Sequence, residues 1–457
     1  MNVINLMVEK ITDYFTKGHG RSIIIKRNIL ISFILKGISV VISFIMVPIT
    51  LNYLNVERYG IWLTLNSIIS WFYILDIGLG NGLRNKFAEA VARGEKELAK
   101  KYVSTAYTIL LIIIIFFYVF FLFINPHIDW TKILNTNKSM DTELINLVLI
   151  VVTFFCIQFI LKLIGTIYIA DQKPALSDSL NVISNAISLI IIFILTKTTE
   201  GNLIYVGAVF TISPVIIYLL ASIISFSTIY KSYRPSIYYI DFSKVKDIGL
   251  LGIKFFIIQI SGIVIYSTSN IIITQVLGPA EVTPYNIAYK YFNTVMMFFM
   301  IIMTPFWSGF TDAYSKNDFE WIKSTMKKLN KFSLGVIIIV IVMILLSDTI
   351  YKIWIGSQVK VPFLLTLFMG FYIMIISWGA PFVHFINGVG KIKLQLYFSV
   401  FQAVVFLILA VYFSKYLGYG SIGVITAMCI PMLPSIFLWP IQYKMIIENN
   451  KSGIWNK

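Results

Sequence analysis

The stretch TILLIIIIFFYVFFLFI, Thr108 to Ile124, holds no charged residue in 17 positions. As a helix rising 1.5 Å per residue it would extend about 25 Å, close to the ~30 Å hydrocarbon core of a bilayer. No water-soluble surface or core accommodates such a run, so its reading decides the fold. The rest of the 457-residue chain agrees: 58% of it is hydrophobic and 13% charged, where a soluble protein carries about 25% charged residues. Mean hydropathy is +0.84. Soluble, fibrous, disordered and disulfide-stapled classes are excluded together.

A spanning helix needs about 20 mostly apolar residues, and on that template twelve spans are expected. Those that matter below are the second, Gly60 to Leu83, the fourth, Leu144 to Ile169, the eighth, Pro284 to Phe310, and the ninth and shortest, Ser333 to Leu346. The expected organisation is a cytoplasmic amphipathic segment 1–28, an N-lobe 29–229, a linker 230–248, a C-lobe 249–443 and a tail 444–457. The opening MNVINLMVEKITDYFTKGHGR has no apolar core followed by a small-residue cleavage site, so no cleavable signal is expected.

Lys and Arg outnumber Asp and Glu by 37 to 21, and their placement gives the orientation. Connections on one face, with both tails, hold 26 basic residues against 7 on the other face. Basic residues are retained inside, so both termini are expected to be cytoplasmic. The remaining four, Lys36, Lys162, Lys254 and Lys290, fall within spans. Cys156 and Cys429 sit in apolar runs and read as packing residues.

The chain also matches itself. FAEAVARGE at Phe87–Glu95 faces FTDAYSKND at Phe310–Asp318, a shift of 223 residues, and the same shift places Leu54 on Leu277 and Asn55 on Gly278. Six spans per half make the repeat parallel, so the expected fold is all-α, a polytopic membrane protein with 12 transmembrane helices in two six-helix lobes around a central cavity.

An ionisable group in hydrocarbon costs a few kcal/mol and normally faces a cavity or a partner. Four intramembrane lysines stand against one acid, Asp76. Ser32, Lys36, Ser39 and Ser43 share one helical face, as do Lys254, Ser261, Thr268 and Gln275. Gln158, Lys162 and Gly165 form a third face, and Asn286, Lys290 and Asn293 a fourth. A cationic, hydroxyl-lined cavity suits an anionic substrate with sugar-like groups, so Lys36, Lys162, Lys254, Lys290, Ser39 and Ser43 are the candidate substrate-binding residues. The plain alternative is that Lys162, Lys254 and Lys290 snorkel to an interface. Asp76 is a candidate for ion coupling or simply pairs with Arg84 or Asn81. Trp62, Trp71, Trp307, Tyr285, Tyr289 and Trp378 offer platforms for sugar rings, although Trp and Tyr gather at membrane interfaces anyway. His19, His127 and His384 have no metal-ligand spacing, and no catalytic constellation or phosphate loop is present in the sequence.

RYGIW at Arg58–Trp62, DIGLGNGLRN at Asp76–Asn85, ADQKPAL at Ala170–Leu176, PFWSGFTDAY at Pro305–Tyr314 and NGVGKIKLQ at Asn387–Gln395 occur in order along the duplicated scaffold. With them the chain, over nearly its whole length, resembles the polysaccharide flippases of the Wzx type, in the multidrug/oligosaccharidyl-lipid/polysaccharide exporter superfamily. The resemblance implies a MATE-like fold in the bacterial cytoplasmic membrane. It also implies alternating-access translocation of an undecaprenyl-pyrophosphate-linked oligosaccharide to the outer leaflet, driven by a coupling cation, H+ or Na+. Membrane lipids and polysaccharide polymerase machinery are the other implied partners; no cofactor and no nucleic acid is implied. A multidrug exporter of this fold would be expected to hold acidic groups in its lobes. A membrane-embedded polymerase or glycosyltransferase would need a substantial external loop with catalytic acids, whereas here the external acids Glu57, Asp129 and Glu281 are scattered singly.

Overall fold

A computed structural model describes residues 20–76, 79–245, 253–448 and 453–456. Most of the expected segment 1–28 therefore lies outside the described residues, as do the side chains of Asp76 and Lys254. Among the described residues every regular element is helical, as a bilayer demands. Hydrocarbon supplies no partner for a free N–H or C=O, and a helix satisfies its own.

In chain order the helices are α1 Gly20–Leu54, α2 Val56–Ser70, α3 Leu79–Ala92, α4 Lys96–Ile124, the short α5 Trp130–Ile133, α6 Asp141–Leu161, α7 Leu163–Ala170, α8 Pro174–Thr198 and α9 Leu203–Ser227. They continue as α10 Ile253–Leu277, α11 Val282–Ser315, α12 Phe319–Ile355, α13 Phe363–Val389, α14 Lys393–Val411, α15 Gly420–Met432 and α16 Ser435–Ile447. Among the described residues ten helical stretches are long and apolar enough to cross a membrane. The two expected spans absent from those ten are the second and the eighth. The second is interrupted after Ser70 by a 3-10 segment, Trp71–Asp76. The eighth lies on the continuous 34-residue α11, whose outer half carries Asn286, Lys290 and Asn293. The ninth is not short: α12 runs 37 residues, because Ile322, Met326 and Leu329 give its lysine-rich first turns a buried apolar side. The fourth breaks at Lys162 into α6 and α7.

Two compact units are present. One comprises residues 1–53, 75–128 and 145–252; the other comprises 54–74, 129–144 and 253–457. Leu54–Ile74 and Asp129–Leu144 cluster with the C-terminal residues. In the first unit, Ala99, Val103, Ala106, Leu110 and Ile114 form the buried stripe of α4. In the second, Phe292, Phe299, Met303 and Phe310 do the same for α11, and Phe310 meets Phe385 of α13 edge-on with ring centres 5.4 Å apart.

The second unit also explains why the early segment belongs to it. An added Cβ on Gly60 would stand 1.8 Å from the carbonyl oxygen of Pro279, so α2 approaches the 279–281 turn as only glycine permits. Arg58, two residues earlier, donates through both terminal nitrogens to the Glu143 carboxylate at 3.0 and 3.1 Å. Asn135 Nδ2 donates to the Thr274 carbonyl at 2.9 Å.

The repeat is written in the backbone. Asn55 (φ 73°, ψ 173°) and Gly278 (φ 95°, ψ 161°) hold the same unusual conformation 223 residues apart. At the same spacing Gly94 (φ 77°) matches Asn317 (φ 57°), and the following Glu95 and Asp318 agree within a degree, at φ −81° with ψ 69° and 70°. Both turns close with an N–H reaching back five residues, Glu95 to Ala90 and Asp318 to Ala313, each at 2.9 Å. This is the Schellman ending, which needs a left-handed residue that glycine or asparagine supplies. A third pair, Gln172 (φ 58°) and Gly390 (φ 77°), closes in the same way through Lys173 to Tyr168 and Lys391 to Ile386, now 218 residues apart.

Gly60→Ala should lower stability by about 1–3 kcal/mol through overpacking, read as a fall in melting temperature in detergent. Gly37→Ala, where nothing lies within 4 Å of the added methyl, should leave it unchanged or slightly raised.

Candidate functional site

In the first unit the polar face of α1 is set by where its apolar residues point. Ile34, Ile38, Val41 and Ile45 are 44–57% exposed and recur at the i, i+4, i+7 spacing of one helical face. At about 100° per residue, Ser32, Lys36, Ser39 and Ser43 lie half a turn round the axis from that stripe. The stripe is the side suited to lipid, so the lysine and serines occupy the side that is not. Lys36 is half-buried and has no acidic partner among the described residues. Ser32 Oγ and, further along the face, Thr50 Oγ1 are buried without a hydrogen-bond partner among the described residues.

Lys162 stands differently. It occupies the break between α6 and α7, its N–H bonds the Gln158 carbonyl at 2.9 Å, and its ammonium lies 4.4 Å from the centre of the Phe159 ring. A cation over an aromatic face is partly compensated where it stands. Gly165, on the same face, is pressed against α8, where an added Cβ would meet Ser177 Oγ at 2.8 Å. That face is therefore helix packing over part of its length.

In the second unit α11 carries the clearest polar face. Asn286, Lys290 and Asn293 are half-buried, and Met297 and Met300 continue the same line at 37% and 40% exposure. Behind it runs a ladder of amides and hydroxyls. Asn286 Nδ2 donates to Asn270 Oδ1 at 2.8 Å, and Asn270 Nδ2 donates to Ser67 Oγ at 2.8 Å. One turn outward the hydroxyls of Thr64 and Thr274 are 2.6 Å apart. Lys290 lies one turn deeper than Asn286, and no acidic residue pairs with it among the described residues. Beside it, Tyr289 packs on Tyr266 with ring centres 5.8 Å apart, and the Tyr372 hydroxyl donates to the Tyr266 hydroxyl at 2.6 Å.

The remaining expected residues divide. Gln275 donates to the carbonyls of Lys132 and Ile133 at 2.8 and 2.5 Å, so it caps the end of α5 instead of facing a cavity. Thr268 Oγ1 is buried and has no partner among the described residues. Trp62 and Tyr285 are buried, at 6% and 4% exposure, and Trp378 Nε1 donates to the Ile436 carbonyl at 3.1 Å. Those three are packing residues, while Tyr289 stays half-open. Asp76 ends the 3-10 segment, and its side chain lies outside the described residues, as does that of Lys254. Ser67, Asn270, Tyr266 and Tyr372 were not anticipated. The run STSN at 267–270 held the signal, since an asparagine in a span must find a partner.

Among the described residues no group of three His, Cys, Asp or Glu is placed to hold a metal. The half-buried cations, amides and hydroxyls present donors to an anion and to sugar hydroxyls.

The profile described as polysaccharide biosynthesis protein matches residues 25–309. The chain belongs to that family. Its relatives include a candidate O-antigen export protein of Yersinia pseudotuberculosis, 24% identical over 420 residues that make up 90% of this chain and 94% of that one. A candidate O-antigen transporter of Salmonella typhimurium is 23% identical, over 88% of this chain and 91% of that one. Among solved structures, an inward-facing multidrug resistance MATE family transporter of the MOP superfamily superposes with a TM-score of 0.78 at 14% identity, over 93% of this chain and 100% of that one. An outward-facing structure of such a transporter gives 0.67 at 15% identity, over 94% and 96%. The fold of this family member is that of the MATE transporters, and the resemblance to Wzx-type flippases read from the motifs is upheld.

The motifs themselves work mainly in packing. Gly60 of RYGIW seats α2 on Pro279, and Thr311 of PFWSGFTDAY donates to the carbonyl of Gly388 in NGVGKIKLQ at 2.8 Å. In ADQKPAL, Asp171 accepts from Tyr230 at 2.7 Å and pairs with Lys173 at 2.6 Å.

Hydrogen bonds in membrane proteins average about 0.6 kcal/mol each, but a stranded buried amide costs about 1–3 kcal/mol. Asn270→Ala should therefore destabilise by roughly 1–3 kcal/mol, because it leaves both Ser67 and Asn286 short of a partner. Thermal melting of the purified variant checks it, with Gln275→Ala as the milder comparison.

Proposed function

We propose that this protein flips a polyprenyl-pyrophosphate-linked oligosaccharide from the cytoplasmic to the outer leaflet by alternating access, coupled to a cation gradient. The single observation that carries the reading is the pair of half-buried lysines, Lys36 and Lys290, on hydroxyl- and amide-bearing faces with no acid beside them among the described residues. A lysine in that setting keeps its charge only where water or an anion compensates it. Pyrophosphate is such an anion, and the flanking serines, asparagines and tyrosines suit the sugars. The O-antigen relatives and the family support the same substrate class.

In this reading twelve spans form lobes 29–229 and 249–443, with both termini cytoplasmic. Lys36, Ser39 and Ser43 receive the pyrophosphate on the cytoplasmic side, Lys162 and Lys254 are further binding residues in the cytoplasmic halves of their own spans, and Lys290 acts nearer the outer face. Asp76 is the candidate for coupling to H+ or Na+. Polysaccharide polymerase machinery is the neighbour that consumes the product. The protein is a transporter and not an enzyme. A multidrug exporter of the same fold is the weaker reading, because organic cations would meet lysines here.

Lys36→Ala and Lys36→Glu should each cut transport about tenfold or more, since a charge-assisted contact to phosphate contributes about 1.5–3 kcal/mol. Lys36→Arg should retain much of it. Complementation at matched protein levels reads this, and normal function of Lys36→Ala would reduce the residue to a snorkelling lysine. For the topology, a cysteine at Lys138 should label from outside intact cells, whereas one at Lys96 should label only after permeabilisation. Labelling of the Lys96 position from outside would sink the orientation.

A further inference from the structure

The connection that follows α9 is bound on one side and bare on the other. Its bound side is fastened to α3 and α4. The N–H of Ser236 donates to Ser104 Oγ at 3.1 Å, and the N–H of Asp241 donates to Thr105 Oγ1 at 2.9 Å. Lys100 Nζ stands 4.1 Å over the Tyr239 ring, and Tyr233 meets Phe87 edge-on with centres 5.2 Å apart. Its bare side carries Ile229, Ile237, Tyr238 and Phe242, which are 67%, 76%, 89% and 61% exposed. Lys231, Arg234 and Lys244 alternate with them and have no ion pair among the described residues. The nearby acid, Asp241, accepts from the Ser243 hydroxyl at 2.6 Å, and this bond, with the nearby charges of Lys244 and Lys101, holds it below the usual carboxylate range, so Lys244 is shared between Asp241 and the bare side while Lys231 and Arg234 are not.

The anchoring points fix the depth of this segment. Counting back about 20 residues from Ile124, the ~30 Å of a hydrocarbon core, reaches Thr105. The two hydroxyls that hold the connection thus stand at the edge of the hydrocarbon, and the apolar side chains they hold stand at the headgroup boundary. Aromatic and aliphatic residues interleaved with basic ones at that level are the pattern of a segment lying in the interface plane. A soluble protein docking there would have to compete with headgroups for the same side chains.

We propose that residues 229–244 are an interfacial anchor that lies in the headgroup region of one leaflet and gathers anionic phospholipid around Lys231, Arg234 and Lys244. The leaflet is the cytoplasmic one if the orientation proposed above holds. Nothing in the anchor depends on the transported substrate, so a failure of the transport reading and a failure of the anchor are separable.

The test uses the full chain in vesicles of phosphatidylcholine with a minor fraction of phosphatidylglycerol. An environment-sensitive fluorophore is placed at Tyr238→Cys and, independently, at Phe242→Cys, with the exposed Glu95→Cys as the aqueous reference. Cys156 and Cys429 are buried, and mass spectrometry verifies that label is confined to the introduced thiol. Probes at 238 and 242 should be blue-shifted, quenched by lipids spin-labelled near the headgroup and shielded from iodide, unlike the probe at 95. A quencher carried on phosphatidylglycerol should act several-fold more strongly than the same quencher on phosphatidylcholine. The triple variant Lys231→Gln, Arg234→Gln, Lys244→Gln should remove that preference, since each basic residue near an anionic surface contributes roughly fivefold. Iodide quenching at 238 and 242 equal to that at 95 would overturn the anchor. Equal quenching by the two lipids in the unsubstituted segment would overturn its preference for anionic lipid.

Discussion

In hydrocarbon a helix can present a polar face only where something other than lipid meets it. That constraint orders the whole molecule. It makes every described regular element helical, and it turns α1 so that Ile34, Ile38, Val41 and Ile45 lie opposite Lys36 and the serines. It also requires the asparagine of α10 to find Ser67 and Asn286. The polar faces are then informative because they are costly: a lysine left without an acid on such a face needs water or an anion.

The motifs and the candidate substrate-binding residues occupy different positions in the chain. Gly60, Thr311, Gly388 and Asp171 belong to motifs and hold helix ends and close crossings. Lys36, Lys290, Asn286 and Asn293 belong to none of the motifs and lie on the open faces. A scaffold whose close contacts are fixed by glycines and turns can change the residues on its polar faces without changing its fold. Such a scaffold is compatible with a fold shared with a multidrug resistance transporter at 14% identity.

Much of this was legible in the sequence, for physical reasons. Apolar runs as long as Thr108–Ile124 admit one reading, and the face shared by Ser32, Lys36, Ser39 and Ser43 follows from helical periodicity alone. What was not legible depends on partners distant in the chain. Hydropathy treats Gly60–Leu83 as one span because it does not register the 3-10 segment after Ser70. Nor does it register that Asp129–Leu144 clusters with the second unit, where Arg58 donates to Glu143, Asn135 to the Thr274 carbonyl and Gln275 to the Lys132 carbonyl. Gln275 shares a periodic stripe with Thr268, yet its partners are the carbonyls of α5. The ninth span looked short only because the amphipathic half of α12 has low hydropathy.

The paired left-handed turns have an evolutionary consequence. At 55 and 278, 94 and 317, and 172 and 390 the backbone is held while the side chain differs: asparagine opposite glycine twice, glutamine opposite glycine once. Helix faces in the two halves have been free to diverge toward different chemistries, serines and a lysine on α1, asparagines and a lysine on α11. The helix endings have not, because few residues tolerate a positive φ. Ancestry in a duplicated transporter is therefore recorded at its punctuation, and a search for other such duplications would do better to align turn torsions than membrane-spanning residues.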